Sequence, residues 1–379
     1  MVKLFCDYEI YIYFVIISQY NKWELINLKT ILKVIGICLL CLILLFVGYI
    51  IFMMATDYKP NEKISINIED NQSKKVSTNK PLTLTTFNIG YCGMDKNEDF
   101  FMDGGTMSRC ISKEQTLTNM HGIGNEIKKL NSDFLFLQEV DKKATRSYKV
   151  NEFDYLKDTF KDYGFTFAIN YKVPWVPVPI TKPHGQVLAG LTSMSKFNIN
   201  SSERYSLPGQ ESFPRQLVEL DRCILVNKIP VENNKNLILI NAHLSAYDKG
   251  GTIRRQQIEF LSKVLEEEYS KGNYVIVGGD WNQQIPGTDA FKFKTTESRP
   301  DWLQDVPNTF NPKGFKWAFD ENTPSCRTVA TPYVKDKNLT AIIDAFMVSD
   351  NVEVISTKGT NMEFEYSDHN PVTLTFKLK

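Results

Sequence analysis

The chain of 379 residues carries 44 basic and 44 acidic side chains, so its formal charge is zero at neutral pH. This balance argues against a protein that grips nucleic acid through its overall charge, because such binding needs clustered lysine and arginine, although a local basic groove stays compatible with it. Hydrophobic residues make up 42% of the chain and include 24 phenylalanines. That is enough for a large core, so most of the chain should be globular.

An apolar stretch near the N-terminus is the first predicted element. Residues 34–54 contain no charged side chain over 21 positions, and a helix of that length can cross about 30 Å of hydrocarbon. A cleaved signal peptide has an apolar region of only about 7–15 residues, and residues 53–60 (MMATDYKP) show no clear small-x-small cleavage site. We therefore predict an uncleaved transmembrane helix over residues 31–54.

Lysines flank this span unequally. The positive-inside rule places the N-terminal segment, residues 1–30, in the cytoplasm and the rest of the chain outside the cell, as a single-pass protein of the cell membrane. Residues 9–18 are apolar but too short to cross, and we interpret them as an interfacial segment or an extended start. The lysines are Lys22, Lys29 and Lys33 before the charge-free residues 34–54 and Lys59 and Lys63 after them.

The remainder divides into a polar segment and a globular domain. Residues 55–80 lack a sustained apolar period and are interpreted as a polar tether, which leaves residues 81–379 for the domain. A disulfide between Cys92 and Cys110 is conceivable outside the cell, but spacing alone does not establish it. No CxxC pair flanked by histidines lies beyond the span, which argues against a structural zinc site.

The domain alternates apolar strands with helices. This mixture over some 300 residues predicts a layered α/β or α+β domain, and the short loops that follow strands are usual places for catalytic groups. Strands are predicted at 82–88, 133–138, 237–244, 274–280, 341–349 and 372–378, and helices at 115–130 and 251–270.

Polar side chains lie beside the apolar runs at the strand ends. Asp280 and Asn282 follow one such strand and project to the same side if the backbone is extended, although Gly, Asp and Asn also favour simple turns. Buried acids are costly unless they are paired or bind a metal, so one shared polar site is more economical than several separate burials. The strand-end residues are Asn88, Gln138 with Glu139, His243, Asp280 with Asn282, Asp344, and Asp368 with His369.

These residue types indicate a chemistry. Oxygen ligands without a cysteine cluster suit a hard divalent ion, Mg²⁺ or Mn²⁺. The chain has no Gly-x-x-x-x-Gly-Lys-Ser/Thr loop and no Gly-x-Ser-x-Gly elbow. Metal-assisted attack of water on a phosphoryl group uses acids and histidines without a covalent intermediate, so it fits this set.

Six motifs in this order resemble the endonuclease/exonuclease/phosphatase superfamily, which has the pancreatic-deoxyribonuclease-like fold. The resemblance covers about residues 82–379 and implies a four-layer α/β sandwich (α+β) of two facing mixed β-sheets flanked by helices. The motifs are FNIG (87–90), LQEVD (137–141), NAHLSA (241–246), GGDWN (278–282), IIDAFMVS (342–349) and SDHNP (367–371).

The resemblance also implies a metal site. Glu139 resembles the family's metal-binding glutamate, with Asn88 and Asp368 contributing near the ion. His243 resembles a phosphate-contacting histidine that deoxyribonucleases and sphingomyelinases have and abasic-site endonucleases replace. Many abasic-site enzymes carry an acid where this chain has Gly90, so both positions lower a repair-nuclease interpretation.

The catalytic groups follow from the same motifs. Asp280 resembles the acid that activates water, and Asn282 resembles the amide that orients water and phosphate. His369 resembles the phosphate-contacting imidazole, held by a carboxylate that Asp344 matches. Each position has a structural alternative: Asn88 as a turn cap, Asp344 as the partner of a core arginine, Asp368 as a loop acid and His243 as a core histidine.

Two features bear on the substrate. Residues 171–183 (YKVPWVPVPITKP) are predicted to form a projecting loop, because prolines block regular pairing, and Trp175 in it either packs on the rim or touches lipid. Arg146 and Arg327 could reach a phosphate or could be solvated surface arginines.

The sequence leaves three functions open. A metal-dependent phosphodiesterase acting on a lipid or small phosphodiester, as sphingomyelinases do, is favoured by the apolar loop, the anchor and the absence of a run of Lys and Arg. An extracellular nuclease on DNA or RNA is the alternative. A phosphomonoesterase or a binding module without activity comes third. The catalytic domain is predicted to be monomeric.

Overall fold

The computed structural model describes residues 2–78, 80–248 and 250–379, with side chains from residue 11 onward. The chain forms two compact units, a long helix that ends at Thr56 and a folded unit over Asp57–Lys379. Each unit is a separate structural body.

The N-terminal unit is one continuous helix, α1 (Val2–Thr56). Its portion Tyr11–Thr56 is long and apolar enough to cross a membrane, judged by length and composition. No proline occurs before Pro60, so the backbone is not interrupted by one. The alternative of an extended start at residues 9–18 is therefore wrong.

The folded unit contains helices and many short strands. The helices are α2 (Lys113–Leu130), α3 (Glu152–Thr159) and α4 (Thr252–Ser270). The strands are β1 (Lys63–Ser65), β2 (Ile68–Glu69), β3 (Leu82–Asn88), β4 (Phe134–Asp141), β5 (Gly164–Val176), β6 (Gly185–Ser195), β7 (Ser201–Ser206), β8 (Cys223–Pro230), β9 (Asn236–His243), β10 (Tyr274–Asp280), β11 (Gln283–Gln284), β12 (Gln304–Asp305), β13 (Phe315–Ala318), β14 (Cys326–Arg327), β15 (Thr340–Ala341), β16 (Asp344–Ser349), β17 (Val352–Gly359) and β18 (Val372–Leu378).

Two seven-stranded sheets organise the unit. Sheet I has the order β17-β18-β3-β4-β6-β5-β2, and sheet II has the order β1-β7-β8-β9-β10-β16-β13. Each sheet contains one parallel pair, β3 with β4 in sheet I and β9 with β10 in sheet II. The other neighbours are antiparallel, so both sheets are mixed as predicted.

The two sheets pack face to face between helices. One buried cluster joins strands of both sheets, including β4, β9 and β10. Helices α2 and α3 pack on the outer face of sheet I, and α4 packs on the outer face of sheet II. The predicted four-layer α/β sandwich is thereby confirmed.

Both faces of the central strands are covered, which explains their unbroken apolar sequences. In β10, Tyr274 and Ile276 face the core between the sheets, whereas Val275 and Val277 pack beneath α4. All four side chains are fully buried. Successive side chains of a strand point to opposite faces, so a run without polar residues marks a strand that has no solvent face.

The strongest predicted elements are confirmed at their positions. The strands at 82–88 and 274–280 have the predicted bounds, and the helix predicted at 115–130 begins two residues earlier. The strand predicted at 341–349 is divided into β15 and β16. Cys92 and Cys110 are both buried free thiols.

Residues 55–80 are not a tether throughout. Strand β1 pairs with β7 at the edge of sheet II, and β2 pairs with β5 at the edge of sheet I. Val76 is fully buried and bridges to Val231. The folded unit therefore begins at Asp57. The missed signal is a short alternation of apolar and polar residues in KISINIE, carried by Ile64, Ile66 and Ile68.

The segment 171–183 is also not a loop over its whole length. Strand β5 continues to Val176 and pairs with β6, which begins at Gly185. The register shifts between Val173 and Val176, so Pro174 lies in an irregularity where no ladder hydrogen bond from its nitrogen is needed. Only the tip of this hairpin is loop.

Glycine is required where β10 approaches β9. A Cβ on Gly279 would lie 1.9 Å from the carbonyl oxygen of Ala242, and its φ of +143° is strained for any L side chain. At Gly272 the φ of +80° is also positive, but a Cβ there would meet no other atom within 4 Å. Both glycines have a positive φ, but only Gly279 would also bring a Cβ into a steric clash. Comparing the two positions therefore separates the cost of the clash from the cost of the backbone conformation.

We expect Gly279→Ala to lower the free energy of unfolding by at least about 3 kcal/mol, because backbone atoms must move. Gly272→Ala should cost only about 1–2 kcal/mol from the left-handed conformation. Thermal unfolding of the two full-length variants in detergent measures the difference. Equal melting temperatures would contradict the role given to Gly279.

Candidate active site

Strand ends of both sheets meet in one polar pocket. In sheet II, Asp280 ends β10 and lies in register with His243, which ends β9, and with Asp344, which begins antiparallel β16. In sheet I, Asn88 ends β3, and Glu139 lies in the adjacent parallel strand β4. The chain direction in each sheet therefore places these predicted residues at a common edge.

Asn88 joins the two sheets at this edge. Its Nδ2 donates to Asp280 Oδ2 at 3.1 Å and to Glu139 Oε1 at 3.2 Å. Its Oδ1 accepts the backbone N–H of Gly90 at 3.0 Å. A Cβ at Gly90 would lie 2.9 Å from Asp368 Oδ1, so the pocket leaves no room for a side chain at this position.

His369 lies between two carboxylates. Its Nδ1 is 2.8 Å from Asp344 Oδ2, and its Nε2 is 3.7 Å from Asp280 Oδ2. Burial opposes a charge on His369, but its pKa lies well above the ordinary value because Cys326, Asp344 and Asp280 favour the imidazolium. Burial raises the pKa of Cys326 to about 12, so at neutral pH it is a thiol and the two carboxylates hold the proton on His369.

Asp280 occupies the centre of the cluster. Burial raises its pKa to about 7, His369 acts in the opposite direction, and Asp344 adds to the rise. His243 Nε2 lies 3.4 Å from Asp280 Oδ2. Burial lowers the pKa of His243 well below its ordinary value, and the nearby Arg222 and His369 add to this, so His243 is a neutral imidazole.

The turn after β10 fixes Asn282. Its backbone N–H donates to Asp280 Oδ1 at 2.8 Å, and its Nδ2 donates to the carbonyl of Leu244 at 2.8 Å. Its φ of +49° is left-handed, a strained conformation often stored at functional sites. Trp281 points away, is fully buried, and donates from Nε1 to the carbonyl of Ala345 at 3.1 Å.

A β-bulge orients Glu139. The register of β4 against β6 shifts between Leu137 and Val140, so one extra residue is inserted on β4. Glu139 has a left-handed φ of +57°. Bulges re-aim side chains, and here Glu139 lines the cavity while its neighbours in β4 are buried.

The predicted metal ligands form an oxygen-only set. Asn88, Glu139 and Asp368 line the same cavity. Apart from the 3.2 Å hydrogen bond that Asn88 donates to Glu139 Oε1, the contacts to the two carboxylates are long: Glu139 Oε2 lies 3.6 Å from Arg146, and Asp368 Oδ1 lies 3.4 Å from the Ser367 hydroxyl. Their lone pairs are therefore available to a cation, and two carboxylates with one amide carbonyl suit Mg²⁺ or Mn²⁺.

A second group has metal-like spacing. Ligand atoms of Asp280, Asp344 and His369 all lie within 4.8 Å of one another. In this group His369 Nδ1 is already paired with Asp344 Oδ2 at 2.8 Å, and Asp280 Oδ2 accepts a hydrogen bond from Asn88 at 3.1 Å. The set that contains Glu139 therefore fits a resident divalent ion better.

Arg146 lies beside Glu139, but its guanidinium is already paired with another carboxylate. Its Nη2 and Nε donate to Asp141 at 2.9 and 3.2 Å. Its guanidinium carbon lies 4.0 Å from the centre of the Tyr91 ring. The side chain is buried and lines the cavity, so it is not the solvated arginine of the alternative interpretation.

Arg327 has a structural role that the sequence did not predict. Its guanidinium is buried and donates to backbone carbonyls on two loops, which satisfies groups that would otherwise lack partners. Its Nη1 and Nη2 are used in this way, but among the described residues its buried Nε has no hydrogen-bond partner, and the side chain lines the same cavity as Asn88 and Glu139. Phosphate binding by Arg327 therefore stays a prediction. The carbonyls belong to Thr328, Thr331, Met94, Asp95 and Glu98.

Arg222 is a site residue that sequence reasoning missed. It precedes β8, whose antiparallel pairing with β9 brings it to the same edge as His243. Its Nη1 is buried without a hydrogen-bond partner. Burial lowers the pKa of Arg222, and Glu139 and Asp280 act against this. Sequence reasoning did not predict the hairpin of residues 223–243. That hairpin would have indicated that Arg222 lies at the same edge of the sheet as His243.

These residues open onto a cavity of about 400 Å³. Its walls away from the catalytic groups are largely aromatic, and the β5–β6 hairpin forms part of its rim through Val176 and Val178. Trp175, predicted to bind substrate, is 42% exposed on β5. The aromatic walls are contributed by Tyr91, Phe100, Phe101, Tyr171, Tyr247 and Trp302.

Solved structures share this fold. An endonuclease/exonuclease/phosphatase from Beutenbergia cavernae DSM 12333 superposes with a TM-score of 0.54 at 15% identity, over 79% of this chain and 72% of its own. TDP2 of D. rerio complexed with a single-strand DNA product gives 0.51 at 14% identity, over 79% and 100%. The human Nocturnin catalytic domain with bound sulfate gives 0.51 at 16% identity, over 83% and 97%.

The family model agrees with the structure. No curated protein matches the sequence. Residues 86–369 match the model of the Endonuclease/Exonuclease/phosphatase family. These residues include the strand ends of both sheets and all of the polar cluster. The chain belongs to the endonuclease/exonuclease/phosphatase family of metal-dependent phosphoester hydrolases.

Proposed function

We propose that this enzyme is a phosphodiesterase in which Asp280 activates water for attack on a phosphoryl group. The observation that supports this most is the position of Asp280, which contacts Asn88, His243 and His369 in one buried cluster. A general base must lie within hydrogen-bond reach of its proton and have a pKa near the working pH. Burial of Asp280 supplies the second condition.

Each residue of the site has its own role in this mechanism. Asp280 accepts the proton of the attacking water, and the fixed carboxamide of Asn282 orients water and phosphate. Cationic His369 and Arg222 offset the negative charge that develops on the phosphoryl oxygens, which is an effective form of catalysis in a site that excludes water. Neutral His243 offers a hydrogen bond to the same group.

A divalent cation fits beside these groups. Glu139, with Asn88 and Asp368, would hold Mg²⁺ or Mn²⁺. When bound, the ion supplies charge neutralisation and polarises a phosphoryl oxygen. Asn88 also holds Asp280, so the metal site and the general base share one positioning residue.

We infer that the substrate is a lipid or another small phosphodiester. Apolar side chains are exposed at the tip of the β5–β6 hairpin: Trp175 is 42%, Val178 46% and Ile180 90% exposed. Phe213, 57% exposed, lies in the neighbouring rim loop. Tryptophan and aliphatic residues of this kind favour the membrane interface.

The same proposal places the enzyme at the cell membrane. The span within residues 31–54 would anchor it, with residues 1–30 inside and the catalytic unit outside. Protease treatment of intact cells should then release a fragment of the size of the folded unit. Protection of that unit until the membrane is opened would show the opposite orientation.

Two carboxylates should respond differently to substitution. We expect Glu139→Gln to raise the metal concentration for half-maximal activity by at least about ten-fold, because one anionic ligand is lost. Asp280→Asn should lower kcat by about 10²-fold or more at every metal concentration. Titration of Mg²⁺ and Mn²⁺ after treatment with EDTA measures both effects.

The exposed acid Glu321 supplies a matched control, since its side chain is 67% exposed. Glu321→Gln should change neither the metal concentration for half-maximal activity nor kcat. Arg222→Ala, in contrast, should lower kcat by about 10²-fold, because a positive charge near the phosphoryl group is lost. Activity that survives EDTA together with Glu139→Gln would rule out the metal-dependent mechanism.

The substrate proposal is tested by three substrates side by side: sphingomyelin vesicles, plasmid DNA and a phosphomonoester. We expect hydrolysis of the vesicles, and Trp175→Ala should reduce it by about ten-fold while a soluble phosphodiester is cleaved at nearly the same rate. Rapid degradation of the plasmid without hydrolysis of vesicles would instead identify an extracellular nuclease, the function of the alternative.

A further inference from the structure

The catalytic cavity continues past the polar cluster. A second cavity of about 620 Å³ adjoins it. The two share a wall that we call the outer pocket, formed by Met102, Asp103, Tyr247, Trp302 and Val329. A substituent of the substrate that extends beyond the phosphoryl group would meet this wall.

Positively charged side chains are distributed unevenly along the cavity. Arg146 and Arg222 line the end that holds the catalytic groups. The second cavity is lined by Asp103, Glu297 and Asp301, and within the described part of the chain no lysine or arginine lines it. A second phosphate of a polynucleotide would be repelled there, whereas a cation would be attracted.

Asp103 is the acid that lines both cavities. Its Oδ2 accepts the Tyr247 hydroxyl at 2.6 Å. Burial raises the pKa of Asp103 to about 6, Tyr247 acts against this, and Asp368 adds to it. At neutral pH it is mainly a carboxylate that has lost much of its water, and none of the described residues forms an ion pair with it, a costly state that a cation would relieve.

The aromatic surroundings favour one type of cation. Phe101, Tyr247 and Trp302 line the cavity around Asp103. The neighbouring ring of Tyr91 already holds the Arg146 guanidinium, so cation–π contact is in use at the inner end. A quaternary ammonium group loses little hydration on entering such a site and gains both the ring faces and the carboxylate.

We propose that the outer pocket binds a quaternary ammonium group on the substrate while the phosphoryl group lies beside Asp280. This inference rests on the proposed phosphodiesterase activity and names the substrate class: phosphodiesters with a choline-like substituent. The substituent can belong to a lipid head group or to a soluble ester, and the two sources share the same recognition chemistry.

The test compares two soluble esters with the full-length enzyme in detergent, p-nitrophenylphosphorylcholine and ethyl p-nitrophenyl phosphate. We expect kcat/KM to be at least about ten-fold higher for the choline ester, consistent with a cation–π contribution. Asp103→Asn should reduce that ratio about ten-fold. Phosphatidylcholine vesicles, compared with the soluble ester, identify the source of the group.

Binding of tetramethylammonium supplies a readout that does not depend on hydrolysis. Calorimetry should detect binding to the wild-type enzyme and weaker binding to Asp103→Asn and to Trp302→Ala. Asp158→Asn is the control, because this side chain is 80% exposed on α3 and pairs with Lys161. Asp158→Asn should alter neither the binding of tetramethylammonium nor the ratio of kcat/KM between the two esters.

The outcomes separate the two proposals. Equal kcat/KM for the two esters, or no binding of tetramethylammonium, would overturn the inference and leave the phosphodiesterase standing. Absence of hydrolysis of every ester, with tetramethylammonium still bound in a manner that depends on Asp103, would overturn the proposed function and retain the cation site.

Discussion

The hydrogen bond from Asn88 to Asp280 is the contact on which the site depends, because it joins the two sheets where their parallel pairs end. Asn88 lies on sheet I and Asp280 on sheet II. A change in the register of either sheet by one residue would turn these side chains to the opposite face. The packing of the sandwich therefore determines whether Asp280 can have the position on which its proposed role rests.

Burial and the neighbouring charges together give this cluster its electrostatic character. Asp280 and His369 shift towards holding a proton, whereas His243 shifts towards losing one. Neighbouring groups in one small volume thus take different protonation states, which is how a fold assigns acid and base roles near neutral pH. Arg222, with an unpaired buried donor, adds a fixed positive charge where a phosphate would bind.

Much of the site follows from the sequence because it lies at strand ends, and strands buried on both faces have an unmistakable apolar pattern. The alternation in residues 63–69 was too short to stand out from a polar segment. The β5–β6 hairpin was missed because Pro174 reads as a strand breaker unless a bulge accommodates it. Arg222 and Arg327 both line the cavity, but the groups around them are far apart in the sequence, so their different surroundings appear only in the folded chain.

The central claim is direct attack of water on phosphorus, and isotope transfer tests it most directly. A phosphorothioate diester of one configuration at phosphorus, hydrolysed in ¹⁸O-labelled water under single-turnover conditions, should give a phosphorothioate monoester that carries the label, with inversion of configuration at phosphorus. Label in the alcohol product would show cleavage of the carbon–oxygen bond. Retention of configuration would show a covalent enzyme intermediate, and either result would contradict the role assigned to Asp280.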